Sequence, residues 1–209
     1  ISLGLVGSEM CIRDRSCRAL LDAIEDGNRA DGINVIALFD HEEIGSSSKQ
    51  GAASIMLHDM LRRILRNMDL SENEIDESIY DAMLLSVDVA HALHPNKKEK
   101  MDITNKPVMG KGFCIKQACS QSYATDAQAI AILCQLCDEK GIPYQRFVNR
   151  SDSRGGSTLG SIAGTLLPVK TVDIGIPILA MHSACELMGV RDMKALSDCV
   201  TAFFGYLGK

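Results

Sequence analysis

Apolar residues along this chain fall into short continuous runs and longer periodic stretches. Residues 33–39 and 82–89 are nearly continuous apolar runs, short and with β-branched residues, which is typical of strands buried in a covered sheet. The second run carries a single acid, Asp88. Four further segments are candidate strands or apolar runs: residues 113–118, 144–149, 169–172 and 176–182.

Between these runs, apolar residues recur at helical spacing. The spacing predicts a first helix that starts at Ser16 and ends near Gly27, and an amphipathic helix over residues 55–65. Two more helices are predicted over residues 126–140 and 192–207. Strands that alternate with helices predict an α/β fold, here a layered mixed sheet with helices on both faces.

Two pairs of residues have the capping-box pattern, in which a serine at a helix start is followed three residues later by a glutamate. Ser71 and Glu74 form one pair, and Ser183 and Glu186 form the other. Each pair therefore predicts the start of a helix. Residues 94–112, by contrast, are polar and include prolines, so they are predicted to form a long loop, a kind of segment that often carries function.

Length and composition disfavour several classes of protein. A chain of 209 residues with 46% hydrophobic and 23% charged residues has the usage of a single globular domain. Its net charge of −5 and its 4% aromatic content argue against nucleic acid as a partner, because such partners are bound by positive fields and stacking rings. No apolar run approaches the ~18 residues of a membrane span, so a membrane location is also disfavoured.

The cysteines and the first residues of the chain bear on location and boundaries. The eight cysteines lie mostly in patterned apolar segments and are interpreted as reduced thiols of a cytoplasmic protein. Residues 1–15 lack the pattern of a signal peptide and show neither helical nor strand periodicity. We therefore separate residues 1–15 from the domain that begins at Ser16.

Acidic and imidazole side chains stand at the ends of three apolar runs. Glu42 and Glu43 follow the first run, Asp88 lies near the end of the second, and His182 ends the last. Open α/β sheets bind ligands beyond the carboxyl ends of their strands. Carboxylates with an imidazole suit zinc, with cobalt or manganese as alternatives, so these residues are a candidate metal site.

The Glu42–Glu43 doublet suits metal-assisted hydrolysis, since one carboxylate can bind a metal while its neighbour takes a proton from the activated water. Each residue also has a simpler interpretation. An acidic pair after a strand is usually a solvated corner, and a histidine such as His182 is more often a hydrogen-bonded core residue. Asp88 needs a partner under either interpretation, because an unpaired carboxylate is costly to bury.

Histidines follow Asp88 at a regular spacing. Asp88, His91 and His94 are each three residues apart, which would bring them together on a helix. The pattern departs from the HExxH zinc motif, and Pro95 ends any helix there. His94 is therefore interpreted as a group beside the ligands or on the substrate side.

Two further motifs are open to more than one interpretation. Gly155 and Gly156 could present backbone N–H groups to a substrate carboxylate, or equally form a plain flexible connection. Cys134 and Cys137 have the CxxC spacing, but they lie within a predicted helix and have no second CxxC or adjacent histidine. Core packing is the favoured interpretation for that pair.

Taken together, five segments resemble the M18 family of aspartyl aminopeptidases, in matching order and spacing over residues 16–209. The resemblance implies cytosolic, zinc-dependent enzymes with two metal ions, an α/β catalytic domain and a dodecameric assembly. Many members release N-terminal Asp or Glu from peptides. The segments are LFDHEEIGSSSKQGA (residues 38–52), SVDVAHALHPN (86–96), GKGFCIKQACSQSYAT (110–125), NRSDSRGGSTLG (149–160) and VDIGIPILAMHSACEL (172–187).

The resemblance also implies roles for individual residues. Lys116 would be a suitable counter-charge for an acidic substrate side chain. Matched motif to motif, the general base would be Glu42; the metal ligands would be Glu43, Asp88 and His182; and the substrate contacts would be Lys116, Tyr123 and the loop at Gly156.

The chain departs from the family pattern before Ser16. Members carry a metal-binding histidine far upstream and a bridging aspartate, whose position here is Ile12, and Asp14 is not assigned that role. Residues 1–15 are therefore interpreted as a foreign stretch joined to the C-terminal portion of a catalytic domain, residues 16–209. Two alternatives follow: a catalytically incompetent homologue that acts only as a structural or oligomeric subunit, and an enzyme for neutral or basic N-terminal residues.

Overall fold

The computed structural model describes residues 8–27, 32–153 and 155–206. Helices and strands follow one another largely as the sequence predicts. The helices are α1 (Ser8–Glu25), α2 (Met56–Arg66), α3 (Glu72–Asp81), α4 (Ala127–Lys140), α5 (Leu159–Ala163) and α6 (Val190–Phe204), with a short 3₁₀ helix at Lys98–Lys100. The strands are β1 (Met83–His91), β2 (Phe113–Gln117), β3 (Tyr144–Val148), β4 (Lys170–Leu179) and β5 (Leu187–Met188).

The strands form one five-stranded sheet in the order β1-β4-β2-β3, with β5 paired to β4. The β1–β4 and β2–β3 pairs are parallel, whereas β2 and β5 run antiparallel to β4. The prediction of a mixed sheet within an α/β fold is confirmed. Because β1 and β4 are parallel, their carboxyl ends lie at the same edge of the sheet, with His91 opposite Ile178.

Side chains that alternate along the strands give the sheet one apolar face. Ile115 on β2 and Ile174 and Ile176 on β4 are fully buried there. They belong to the main hydrophobic cluster, to which α1, α4 and α6 contribute residues such as Leu133 and Leu196. Three helices therefore cover this face of the sheet.

The opposite face carries polar side chains at the alternate positions. Ser86 and Asp88 on β1, Lys116 on β2 and Asp173 on β4 lie on it. The short helix α5 packs over this face, and the Gly160 N–H donates to Ser86 Oγ at 3.0 Å. Helices thus lie on both faces, as predicted.

Local signals set several helix ends. Ser71 accepts from the Glu74 N–H, and Glu74 Oε2 accepts from the Ser71 N–H at 2.8 Å, so the predicted capping box starts α3. Helix α4 ends at Gly141, whose φ of 66° is in the left-handed region that favours glycine. The first helix begins at Ser8 rather than Ser16, so it extends into the stretch interpreted as foreign.

The strand predicted over residues 33–39 is wrong. Among the described residues, those from 32 to 39 form no strand, and Ile33, Val35 and Leu38 are 43, 41 and 54% exposed. Asn34 Nδ2 instead donates to the Phe204 carbonyl at 3.0 Å, beside the C-terminal end of α6. A strand needs a neighbouring strand to satisfy its backbone groups, and an apolar run does not specify that neighbour.

The last third of the chain also differs from the prediction. The runs at residues 169–172 and 176–182 do not form separate strands: residues 170–179 form one strand, β4, because the acid between the runs is accommodated on the polar face, and residues 180–182 lie in the turn that follows. Ser183 and Glu186 do not start a helix: they lie in the turn between β4 and β5. There the Ser183 hydroxyl accepts from the Cys185 N–H, and Glu186 Oε1 accepts from the His182 N–H at 2.8 Å.

Candidate active site

The polar face of the sheet is organised around a buried ammonium group. Lys116 is 4% exposed, and its Nζ donates to Asp88 Oδ2 at 2.8 Å and to the Val89 carbonyl at 2.9 Å. Asp88 is half-buried, with 31% of its side chain exposed. The partner that the sequence required for Asp88 is therefore Lys116 in this structure.

The predicted substrate contacts adjoin Lys116. Its Nζ lies 4.6 Å from the centre of the buried Tyr123 ring, which favours a cation–π interaction. Asn149 Nδ2 donates to the Tyr123 hydroxyl at 3.0 Å, and Gly155 packs so closely here that an added Cβ would meet Asn149 Nδ2 at 2.1 Å. Lys116, Tyr123, Asn149 and Gly155, the neighbour of Gly156, thus form one continuous set of contacts.

Gly155 and Gly156 differ in their surroundings. Gly155 is wedged against Asn149 and Tyr123, whereas a Cβ added at Gly156 would meet no atom within 4 Å among the described residues. Gly156 is exposed. The requirement for glycine is therefore steric at Gly155, whereas a side chain at Gly156 would have open space.

Glu43 and His182 are brought together from distant parts of the chain. His182 Nε2 lies 3.3 Å from Glu43 Oε2, and their side chains are 67 and 45% exposed. His182 has a φ of 64°, and Ala180 in the same turn has a φ of 57°. Such left-handed conformations are uncommon for residues other than glycine and concentrate at functional sites.

Glu42 lies in a tight turn and not at the end of a strand. The Ser46 N–H donates to the His41 carbonyl at 2.8 Å, and the Gly45 N–H donates to the Glu42 carbonyl at 3.0 Å. Glu42 is half-buried and Glu43 is exposed. The turn orients the two neighbouring acids differently, which the sequence pattern alone could not show.

His91 links the two groups of residues. It ends β1. Partial burial is the largest cause that lowers the pKa of His91; the nearby Lys116 and His182 side chains lower it further, and the Asp88 carboxylate opposes them. His91 is therefore within electrostatic range of both the Lys116–Asp88 pair and the Glu43–His182 pair. His94, one of the sequence candidates, accepts a hydrogen bond from the Asn96 N–H at 3.1 Å in the loop that follows.

The donor set suits zinc in its chemistry. Glu43 and His182 are in contact, as two ligands of one ion would be, and Lys116 engages only Oδ2 of Asp88, leaving that carboxylate a second oxygen. Across the described ranges, however, His, Cys, Asp and Glu side chains nowhere gather in a group of three that could hold a metal ion. Of the three predicted ligands, Glu43 and His182 are thus in contact with each other, and Asp88 is paired with Lys116 instead.

Two other observations bear on the sequence candidates. Cys137 is buried in the main cluster, 3.8 Å from Cys199, and Cys134 packs beside it, which supports core packing for the CxxC pair. Asp173, which the sequence analysis did not single out, is fully buried on the polar face. Its signal was the one used for Asp88, a lone acid within an apolar run.

Comparison with known proteins identifies the family. A family model described as "Aminopeptidase I zinc metalloprotease (M18)" matches residues 13–204. The chain belongs to the M18 family. The resemblance inferred from the five motifs is therefore confirmed, and the match covers both groups of residues described above.

Individual relatives agree. The chain is 47% identical over 174 residues to a probable M18 family aminopeptidase 2 of Clostridium novyi. That match covers 83% of this chain and 40% of the relative. It is 37% identical over 198 residues to a probable aspartyl aminopeptidase of Ricinus communis. That match covers 93% of this chain and 40% of the relative. The chain thus spans about 40% of the length of these M18 relatives.

Solved structures show the same fold. A chain in the cryo-EM structure of the Ape4 and Nbr1 complex matches with a TM-score of 0.87 and 34% identity, covering 94% of this chain and 38% of that one. The structure of an mApe1 dodecamer matches with a TM-score of 0.75 and 23% identity over 94% of this chain and 44% of that one. None of the helices in the described parts of this chain is long and apolar enough to cross a membrane.

Proposed function

We propose that this M18 chain belongs to a zinc-dependent aminopeptidase that hydrolyses the N-terminal residue, Asp or Glu, from peptides. The observation that carries the proposal is the contact between Glu43 and His182, 3.3 Å apart at the sheet edge where β1 and β4 end. A buried ammonium, Lys116, lies on the polar face of the same sheet, paired with Asp88. A carboxylate–imidazole pair and a fixed positive charge on one sheet suit hydrolysis of a peptide with an acidic end.

Each residue has one role in this proposal. Glu43, His182 and Asp88 would hold zinc, two ions being expected by the resemblance and cobalt or manganese being alternatives. The metal, when bound, supplies a Lewis acid that lowers the pKa of water and polarises a carbonyl. Glu42 accepts the proton of the attacking water and returns it to the departing amine.

The substrate-binding groups follow from the surface around Lys116. Its ammonium attracts the acidic side chain, and the Tyr123 ring supports the ammonium from the side. Gly156 and Ser157 are exposed, so their backbone N–H groups would be available to a bound peptide. An acidic side chain would share Lys116 with Asp88, so binding would redistribute a hydrogen bond that the free protein already makes.

The test of the base is Glu42→Gln in a complete protein that carries this chain. Glutamine keeps the shape but cannot take the proton, so kcat is expected to fall by about 10²–10⁴ while metal content is unchanged. The matched control is Glu139→Gln, an exposed glutamate on α4. Full activity of the Glu42 variant would contradict the assignment of the base.

The test of specificity is Lys116→Ala, assayed on chromogenic substrates with N-terminal Asp, Leu or Lys. The loss in kcat/KM is expected to be largest for Asp, because only that substrate uses the ammonium. Equal losses on all three substrates would remove the case for acidic specificity. A parent protein that cleaves the Leu or Lys substrate better than the Asp substrate would support the neutral or basic alternative.

Assembly and location complete the proposal. We expect a homo-oligomer, supported by the fold shared with the dodecameric mApe1, and sedimentation of the complete protein tests this. All eight cysteines are free, which suits the reducing cytoplasm. After desalting, the alternative of an inert subunit predicts one equivalent of zinc or none, whereas a dinuclear enzyme is expected to hold about two.

A further inference from the structure

We propose that Asp173 is a positioning residue that ties two substrate-contacting segments to the sheet beside Lys116. The segments are residues 122–125, here named the tyrosine segment, and residues 155–161, the glycine loop. That these segments contact substrate rests on the proposed function, whereas their contacts with Asp173 do not depend on it.

Asp173 lies in the middle of β4 on the polar face of the sheet. Its side chain is 0% exposed, and its Cα is paired in register with Ser86 of β1 and with Lys116 of β2. The neighbouring strand residues on the other face, such as Val172 and Ile174, are buried and apolar. A fully buried carboxyl is costly, so its presence here requires specific partners.

One oxygen of Asp173 holds both segments. Oδ2 accepts a hydrogen bond from the Thr158 hydroxyl at 2.7 Å and another from the Ala124 N–H. Thr158 belongs to the glycine loop and Ala124 to the tyrosine segment. The segments are also joined directly, because the Thr158 N–H donates to the Ser122 carbonyl at 3.2 Å.

The packing above Asp173 leaves no room for adjustment. A Cβ added at Gly160 would lie 2.8 Å from Asp173 Oδ1 and 2.9 Å from Ser86 Oγ, so the start of α5 passes directly over the carboxyl group. Burial raises the pKa of Asp173, and the hydrogen bonds from Thr158 and Ala124 oppose that rise. Both bonds go to Oδ2, while Oδ1 has no hydrogen-bond partner among the described residues.

This arrangement fixes the groups that face the substrate. Ala124 follows Tyr123, whose ring lies against the Lys116 ammonium, and the glycine loop contacts the Tyr123 hydroxyl region through Gly155. Release of Asp173 would free both sides of the surface at once. An apolar residue at this position would match the strand around it but would hold neither segment.

Hydrogen exchange of the 209-residue chain, followed by mass spectrometry of peptides, tests the proposal. Asp173→Ala is expected to speed exchange in the tyrosine segment and the glycine loop by roughly tenfold or more, because both lose a buried acceptor. Asp173→Asn keeps an acceptor oxygen in the same place and is expected to restore protection to within about twofold of the parent chain.

Two further variants keep the test decisive. Thr158→Val removes only the hydroxyl donor, so exchange is expected to rise in the glycine loop and not at Ala124. Asp192→Ala is the matched control: Asp192 is also 0% exposed and accepts from two backbone groups, the N–H groups of Gly110 and Gly112 at 2.6 and 2.7 Å. Asp192→Ala is expected to speed exchange in the loop that holds Gly110 and Gly112, but not in the tyrosine segment or the glycine loop.

The outcomes separate this proposal from the function. Three results would each overturn the positioning role. The first is unchanged exchange in both segments for Asp173→Ala, the second is an equal rise in exchange across β1 and α6, and the third is that Asp173→Asn does not restore protection. If Asp173→Ala does not fold, an unchanged glycine loop in Thr158→Val overturns it. Expected exchange results together with a complete protein that cleaves no peptide would overturn the proposed function and leave the positioning role intact.

Discussion

At the scale of single residues, the Lys116–Asp88 pair is asymmetric. The ammonium is 4% exposed, whereas 31% of the Asp88 side chain reaches solvent. A charge that loses its partner regains stability only as far as water can reach it. The consequences of removing either partner should therefore differ.

We predict that Asp88→Ala destabilises the chain more than Lys116→Met does. The first variant leaves a buried ammonium with one carbonyl partner, at a cost of about 3 kcal/mol in the free energy of unfolding; the second leaves a carboxylate that water can solvate. Urea denaturation at neutral pH measures both. A larger loss for Lys116→Met would mean that Asp88 is the more strongly desolvated group.

The sequence showed which buried charge needs a partner, but not which residue supplies it. It required a partner for Asp88, and the structure supplies Lys116, 28 positions away. It proposed Glu43 and His182 for one site, and the structure places them in contact although 139 residues separate their numbers. Their roles as metal ligands, and the role of Glu42 as base, stay predictions.

At the scale of elements, α2 and α3 form a pair held by surface charges. Arg66 Nε lies 2.8 Å from Glu72 Oε1, and Arg62 pairs with both Glu72 and Asp76. Beneath these charges, residues of both helices pack around a small apolar cluster that includes Ile75 and Leu167. Charge adds to a contact that apolar burial already provides.

This pair predicts a defined pH dependence. Hydrogen bonds from Arg66, and then Arg62, lower the pKa of Glu72 from 4.5 to about 2. Its contribution is therefore complete above pH 4.5 and is lost as the pH falls from about 4.5 to about 2.

Urea denaturation at pH 6 and at pH 2.5 measures this effect. Glu72→Gln is expected to reduce stability at pH 6 and much less at pH 2.5, where the parent chain has lost most of the same interaction. Because these groups are exposed, the difference will be small. Glu77→Gln, an exposed site on the same helix, is the control; an equal pH dependence there would contradict the assignment to Glu72.

Element-scale prediction worked where the signal is local. The Ser71–Glu74 box starts α3 because the two residues satisfy each other's backbone groups within one turn. The same pattern at Ser183 and Glu186 failed because Glu186 bonds to the His182 N–H instead. The turn between β4 and β5 uses that glutamate to hold His182 in its left-handed conformation.

At the scale of the whole molecule, one main cluster joins the sheet to α1, α4 and α6. We predict that Leu196→Ala, at a fully buried position on α6, lowers the free energy of unfolding by about 2–5 kcal/mol. Ile103→Ala, at a site 83% exposed, is expected to change it by less than about 0.5 kcal/mol. Thermal and urea unfolding measure both, and similar losses would contradict the placement of this core.

The sequence by itself determined the alternation of strands and helices, the capped start of α3, the span of α4 and the family. These depend on periodicity, capping and motif order, which act over a few residues or survive as a pattern along the chain. Only the tertiary structure decided that residues 33–39 are mostly exposed and unpaired with the described strands, that β4 is one strand, and that Asp173 holds two segments. Such features require partners far apart in sequence, and a local pattern carries no information about which distant group will satisfy a backbone or a charge.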